Sequence, residues 1–225
     1  MRKMMDHQLE PMADFFARRV DGYDEHMLEN VPGCRTGYAE LAARLPGKVE
    51  TLLDLGIGTG LELADIFRRF PEVRVTGVDL CQEMLAECSR KYPGKRMTLI
   101  CGDYTRLKLG TEAFDAAVSF ETLHHLTPAE KRTLYRGVCE ALKRGGVYLQ
   151  GDYNALDDAE EAEFRHRFDL LCQEEKVEKG ALVHFDTPLT AAHDCTLLLQ
   201  AGFSSAEAVW QNDHTVLIVA KKAEV

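Results

Sequence analysis

The segment Leu52-Leu53-Asp54-Leu55-Gly56-Ile57-Gly58-Thr59-Gly60 limits what this chain can fold into more than any other stretch. An apolar run ends in a Gly-rich turn, and a helical pattern follows. Strand, tight turn and helix N-terminus together make a cradle for a bound nucleoside or phosphate. The glycines let the backbone approach a ligand where a Cβ would clash. Their spacing also discriminates, because a dinucleotide fingerprint, G-x-G-x-x-G, would place its third glycine at position 61. Leu61 stands there, so the pattern is D-x-G-x-G-x-G, with Asp54 ahead of Gly56, Gly58 and Gly60.

The downstream spacing supports a cradle over a plain loop. Val73-Arg74-Val75-Thr76-Gly77-Val78 reads as a second strand that ends at Asp79. An acid at that point is placed to accept both hydroxyls of a ribose. A third strand, Met97 to Cys101, ends in Gly102-Asp103-Tyr104, where an acid and an aromatic ring can bond and stack an adenine. All three turns fall at one end of adjacent parallel strands, the end at which open α/β sheets bind ligands.

With these motifs in place, the chain resembles the class I S-adenosylmethionine-dependent methyltransferases of the small-molecule type, over roughly residues 10–221. LLDLGIGTG is similar to their first motif, VTGVDL to their ribose-binding strand and CGDY to their adenine-binding turn. Ile57 departs from the Cys or Ala of many relatives. The resemblance implies a doubly wound α/β fold with strand order 3-2-1-4-5-7-6, strand 7 antiparallel and helices on both faces. It implies S-adenosyl-L-methionine as cofactor, held by Asp54, Gly56, Gly58, Gly60, Asp79, Leu80, Met84, Asp103, Tyr104 and Phe120. The segment Arg18 to Met27 resembles an arm over the cofactor, in which Tyr23 contacts the methionine end and Arg19 its carboxylate; the competing reading is a solvated helix face whose aromatics anchor to the core.

Alternating strand and helix patterns imply a parallel sheet with right-handed crossovers. Residues 6–30 read as an N-terminal helix and its exit, with Phe15, Phe16, Val20 and Tyr23 on one face, and a short helix spans about Gly37 to Leu45. Helices are expected over Gly60–Phe70 and Cys81–Tyr92, and a strand over Phe114–Ser119. Thr127-Pro128-Ala129-Glu130 is a capped helix start, since Thr127 can cap, Pro128 fits the first helical position and Glu130 can close a capping box. Gly145-Gly146 should end that helix, with strand five over Val147–Gln150. A charged helix at 157–176 should turn Phe164, Phe168 and Leu171 inward; a last helix follows Thr190, and strands near 206–210 and 215–220 close the chain. One domain is expected, divided into a helical arm (1–47), a cofactor-binding core (48–152) and an acceptor side (153–225).

Methyl transfer needs few side chains, because the donor carries the reactive group. Phe120-Glu121-Thr122-Leu123-His124-His125 follows strand four, beside the expected methyl position. It lacks the N/D-P-P-Y motif of several amine and nucleobase methyltransferases. His124 or His125 can act as a general base, since imidazole titrates near ~6.5; the competing reading is a helix-start histidine that bonds structurally. Asp152 and Tyr153, with His184 and Asp186 of the His184–Pro188 segment, are the expected acceptor pocket, against the alternative of a structural turn. The histidines and Asp186 show no ligand spacing, so no metal is expected.

The net charge of −10 argues against nucleic-acid binding, which needs basic side chains on phosphates. The expected partner is a small-molecule methyl acceptor, with the protein a monomer or homodimer. Seven scattered cysteines without C-x-x-C, and no apolar leader or stretch near ~20 residues, suit a reducing cytoplasm and no membrane. Two further readings stay open: a nicotinamide oxidoreductase, which Leu61 counts against, and a non-catalytic binder that keeps the fold.

Overall fold

A computed structural model describes residues 9–178 and 181–224. Its centre is a seven-stranded sheet, in which β1 (Thr51–Leu55), β2 (Arg74–Asp79), β3 (Met97–Cys101), β4 (Phe114–Phe120), β5 (Leu142–Tyr153), β6 (Ser205–Asn212) and β7 (Thr215–Lys221) lie in the order β3-β2-β1-β4-β5-β7-β6. Neighbours from β3 through to β5 pair in parallel, while β7 runs antiparallel to both β5 and β6. The expected order and direction are therefore those observed.

Side chains alternate across each strand, so one strand feeds two cores. Leu52, Val75, Val118 and Leu149 face α3 (Cys34–Arg44), α4 (Leu63–Arg69) and α5 (Gln82–Lys91). Leu53, Leu55, Ala117 and Tyr148 face α6 (Pro128–Ala141) and α8 (Ala191–Gln200). The start of α6 carries the expected capping box: Thr127 Oγ1 accepts from the Glu130 N–H at 3.4 Å, and Glu130 Oε2 accepts from the Thr127 N–H at 2.9 Å. Helix α7 (Asp158–Glu174) buries no residue fully, so Phe164, Phe168 and Leu171 reach only half-burial instead of a closed inward stripe.

Helix α3 starts at Cys34 and not near Gly37, and three other boundaries differ from the sequence reading. The segment 6–30 is two helices, α1 (Met12–Ala17) and α2 (Tyr23–Asn30), because Gly22 takes φ 81° between them; residues 6–8 lie outside the described residues. Helix α4 starts at Leu63 and not at Gly60, since φ is still +73° at Gly60. Gly145-Gly146 does not stop α6. That helix ends at Ala141 and β5 begins at once, with both glycines inside it. Leu142 pairs with Phe114 and Val147 with Ala116, so the extra residues bulge out there, and a Cβ on Gly146 would meet the Lys143 carbonyl at 2.8 Å. No described helix is long and apolar enough to cross a membrane.

Candidate functional site

The carboxyl ends of β1, β2, β3 and β4 open into one cleft, closed on its far side by α1, α2 and Leu182. Gly56 and Gly58 both line it. Gly56 is at φ +68°, and a Cβ there would lie 2.1 Å from Thr122 Oγ1, so the turn after β1 closes against the turn after β4 only with glycine. Gly58 is different. At φ +50° its missing side chain faces open space, where a Cβ would find only the Gly56 carbonyl, at 3.9 Å. That space is the cradle. Gly60 does not line the cleft; a Cβ there would strike Cys88 Sγ at 2.9 Å, so its smallness lets α5 pack. Ile57 is buried against Gly77, away from the cleft, and the departure from Cys or Ala is taken up there.

The acids divide by role. Asp79 lines the cleft; its Oδ2 accepts from the Gly58 N–H and its Oδ1 from the Cys81 N–H, each at 2.8 Å. Each oxygen keeps a second lone pair for a hydroxyl. Burial raises its pKa, and the backbone donors pull against that rise. Asp54 lies beneath the turn, fully buried beside Glu62, and among the described residues neither of its oxygens meets a hydrogen-bond donor. Burial first, and the neighbouring Glu62 second, push its pKa well up, while burial brings Glu62 to about 7. The Lys91 charge pulls Glu62 the other way, and neither carboxyl lines the cleft, so the pair can act on an ammonium group there only from beneath the turn. Asp103 also lines the cleft, but its Oδ1 is held in a turn by the Thr105 N–H at 2.8 Å and hydroxyl at 2.5 Å. The Tyr104 hydroxyl bonds Thr122 at 3.1 Å and ties the β3 and β4 turns together; Leu80 and Met84 complete this wall. These residues fit an adenosine bearing an amino-acid tail.

The N-terminal arm supplies Met12, Ala13, Phe16 and Tyr23 to the cleft. It is pinned at α2, where Asp24 accepts from Thr59 Oγ1 at 2.5 Å and from Lys91 Nζ at 2.6 Å. Besides Gly60 and Asp54, two more expected cofactor residues lie outside the cleft lining. Arg19 does not line the cleft: its guanidinium covers the Phe15 ring at 3.6 Å and is half exposed. Phe120 turns into the core against Tyr38, with ring centroids 4.3 Å apart, because Gly37 and Gly151 leave room for it.

The remaining candidates gather around His125, but Asp152, Tyr153, His184 and Asp186, the expected acceptor pocket, do not themselves line the cleft. His124 Nδ1 bonds Asp152 Oδ1 at 2.7 Å, His124 Nε2 lies 3.7 Å from Asp186 Oδ1, and His125 Nδ1 lies 3.5 Å from the same oxygen. His184 stacks on Phe15 at 3.4 Å and borders His125 at 4.9 Å between ring centroids. Tyr153 stacks on His214 and meets His124 edge-on. Burial alone would lower the His124 pKa; the charge and hydrogen bond of Asp152, then Asp186 and Glu121, outweigh it and bring it to about 9. His125 goes the other way, pushed well below its ordinary value by burial and then by the His124 charge. His125 Nδ1 meets the Phe185 carbonyl at 3.1 Å, so Nδ1 carries the proton and Nε2 is the basic nitrogen. Of the two rings, His125 lines the cleft.

Glu121 was missed in the sequence. It lines the cleft at φ +50°, accepts from Thr215 Oγ1 at 2.9 Å, and burial raises its pKa to about 7. Nothing local marks a strained glutamate. Lys131 was also missed: fully buried, it pairs with Asp194 at 3.0 Å and lies 4.0 Å from Asp152 Oδ2. His124, His125 and Asp186 offer donor atoms within 4.8 Å of one another, as do Glu121, His124 and Asp152. Both imidazole Nδ1 atoms are engaged, one by a carboxylate and one by a carbonyl, which fixes the two rings and leaves the Nε2 atoms to face a proton, an acceptor or a ligand.

Comparison with known proteins matches residues 52–146 to a methyltransferase-domain family. An uncharacterised methyltransferase of Geobacillus sp. (strain WCH70) is 26% identical over 175 residues, covering 73% of this chain and 79% of that one. The demethylmenaquinone methyltransferase of Roseiflexus castenholzii is 32% identical over 126 residues, which is 54% of this chain and 52% of that protein. Among solved structures, a putative O-methyltransferase of Nostoc punctiforme superposes with a TM-score of 0.70 at 20% identity, covering 95% of this chain and 62% of that one.

Proposed function

Since this chain belongs to the class I S-adenosylmethionine-dependent methyltransferases, we propose that it transfers a methyl group to a small molecule bound at the His125 end of the cleft. The observation that carries the reading is one continuous cleft with Asp79 and Gly58 at one end and a neutral, buried imidazole at the other. The cofactor supplies a sulfonium methyl for in-line displacement. Asp79 holds ribose hydroxyls, the Asp54–Glu62 pair takes the ammonium charge, and Gly58 gives the backbone its close approach. The arm keeps water away from the reacting atoms. His125 receives the acceptor's proton at Nε2, and the His124–Asp152 bond fixes the neighbouring ring.

The test has two readouts. Calorimetric titration should give S-adenosylmethionine binding and no NAD binding. A metabolite extract should release S-adenosylhomocysteine, with the methylated product identified by mass. His125→Gln should lower turnover ~10²-fold or more while cofactor affinity stays within a factor of two. Equal losses in both would remove His125 from the proposed chemistry.

A further inference from the structure

We propose that the acceptor is an uncharged, largely apolar molecule whose methylated atom is the oxygen of a phenol-like or enol-like hydroxyl. This rests on the methyl-transfer reading and on His125 as its base.

The lining makes the first selection. Met12, Phe16, Leu126 and Leu182 give the His125 end of the cleft an apolar wall. Among the described residues lining the cleft there is no lysine or arginine, while Asp79, Asp103 and Glu121 are carboxyl groups. The arm's Arg19 is turned outward, its side chain 48% exposed. A carboxylate or phosphate on the acceptor would therefore lose its water and meet like charge, while the one cation near His125, the His124 ring, is already paired with Asp152.

Charge at the reacting end makes the second selection. The cation there is the His124 ring, bonded to Asp152 at 2.7 Å and centred 4.0 Å from the His125 ring. A second cation beside it is repelled, and the carboxyls that would attract one, Asp152, Asp186 and Glu121, already face that ring, which disfavours an ammonium-bearing acceptor. Negative charge that builds on an oxygen as it loses its proton is instead stabilised by that imidazolium.

The base makes the third. Burial, and then the His124 charge, leave His125 a weak base. A phenolic hydroxyl titrates near ~10, whereas a hydroxyl no more acidic than water lies near ~15.7, so proton transfer to the same base is about 10⁵- to 10⁶-fold less favourable for the second. In the step itself the acceptor O–H bond breaks and its proton goes to His125 Nε2. The O–CH₃ bond forms as the sulfur–methyl bond breaks, the sulfonium leaves as a neutral thioether, and His125 then returns its proton to solvent.

Four probes of one size separate these selections: naphthol, naphthylmethanol, naphthoate and naphthylmethylamine. Each is titrated into the protein saturated with S-adenosylhomocysteine, then offered with S-adenosylmethionine while thioether product is counted by mass spectrometry. Naphthol and naphthylmethanol should bind at least tenfold tighter than naphthoate and naphthylmethylamine. Naphthol alone should be methylated, with His125→Gln lowering its rate at least 100-fold. The inference is overturned if naphthoate or naphthylmethylamine binds as well as naphthol, if none of the four binds, or if naphthylmethanol reacts as fast as naphthol. Loss of turnover on addition of a chelator would also overturn it, since the cluster would then be acting as a metal site. Failure of the methyl-transfer reading is separate and visible beforehand, as absence of S-adenosylmethionine binding in the same calorimeter.

Discussion

Replacing Asp152 with asparagine should flatten the pH dependence of stability over one defined interval. Asp152 gives His124 its hydrogen bond at 2.7 Å and its strongest upward pull, so the ring titrates at about 9 in the folded protein against ~6.5 when unfolded. A folded pKa above the unfolded one means that the native state binds the proton more tightly. The stabilisation is then full below ~6.5 and is lost as pH rises through the folded value. Some 2.5 units correspond to about 3 kcal/mol, or roughly 6–12 °C in melting temperature for a chain of this length. Asp186 and Glu121 also face the ring, and Lys131 faces Asp152 from α6, so part of the shift survives the substitution. Glu121 titrates in a lower interval: its raised pKa of about 7 costs stability as pH rises from ~4.5, and that loss is nearly complete by ~7.5. Asparagine keeps the acceptor oxygen for His124 Nδ1 and removes only the charge. Urea unfolding at half-unit steps from pH 7 to 10 reads the slope apart from any constant offset. Wild-type protein should lose about 2–3 kcal/mol across the window, and the variant less than half of that. Parallel curves would refute the assignment of the charge to His124.

Two further changes probe the cofactor end. Gly58→Val should cost roughly 1–2 kcal/mol of stability from its left-handed backbone and weaken S-adenosylmethionine binding at least 100-fold, because the new side chain fills the cradle; unchanged affinity by calorimetry would mean that the cradle lies elsewhere. Asp24→Ala removes the bonds from Thr59 and Lys91 that pin α2, so the cofactor should leave about five- to tenfold faster in stopped-flow displacement, and an unaltered off-rate would show that the arm does not retain it.

The sheet was legible because each strand carries its own period and ends at a recognisable turn, and because the spacing of Asp54, the glycines, Asp79 and Asp103 matches one known arrangement. The Gly145-Gly146 pair was misread as a helix stop, since a bulge inside a strand and a helix end call for the same residues. The acceptor cluster was legible as residue types but not as a site. His124 and Asp152 are 28 positions apart, and His125 and Asp186 meet only because the 182–188 connection returns over the sheet end. Opposite pKa shifts on adjacent histidines come from burial and from one carboxylate's position, neither of which a linear sequence carries. Phe120 and Arg19 failed to line the cleft for a simpler reason: one side chain found a hole made by two glycines, and the other found a ring to cover.

Strand β7 lies between β5 and β6, although it follows both in the chain, and among the described strands β6 pairs with β7 alone. During synthesis the parallel strands can assemble while β5 still offers a bare edge and β6 has nothing to join. The edge is closed from both sides at once when residues 215–221 leave the ribosome. Until then the nascent chain presents unpaired backbone along β5, the kind of surface that recruits other chains. Premature termination just before β7 would thus yield an aggregation-prone fragment with two strands unaccommodated, however intact its cofactor-binding half.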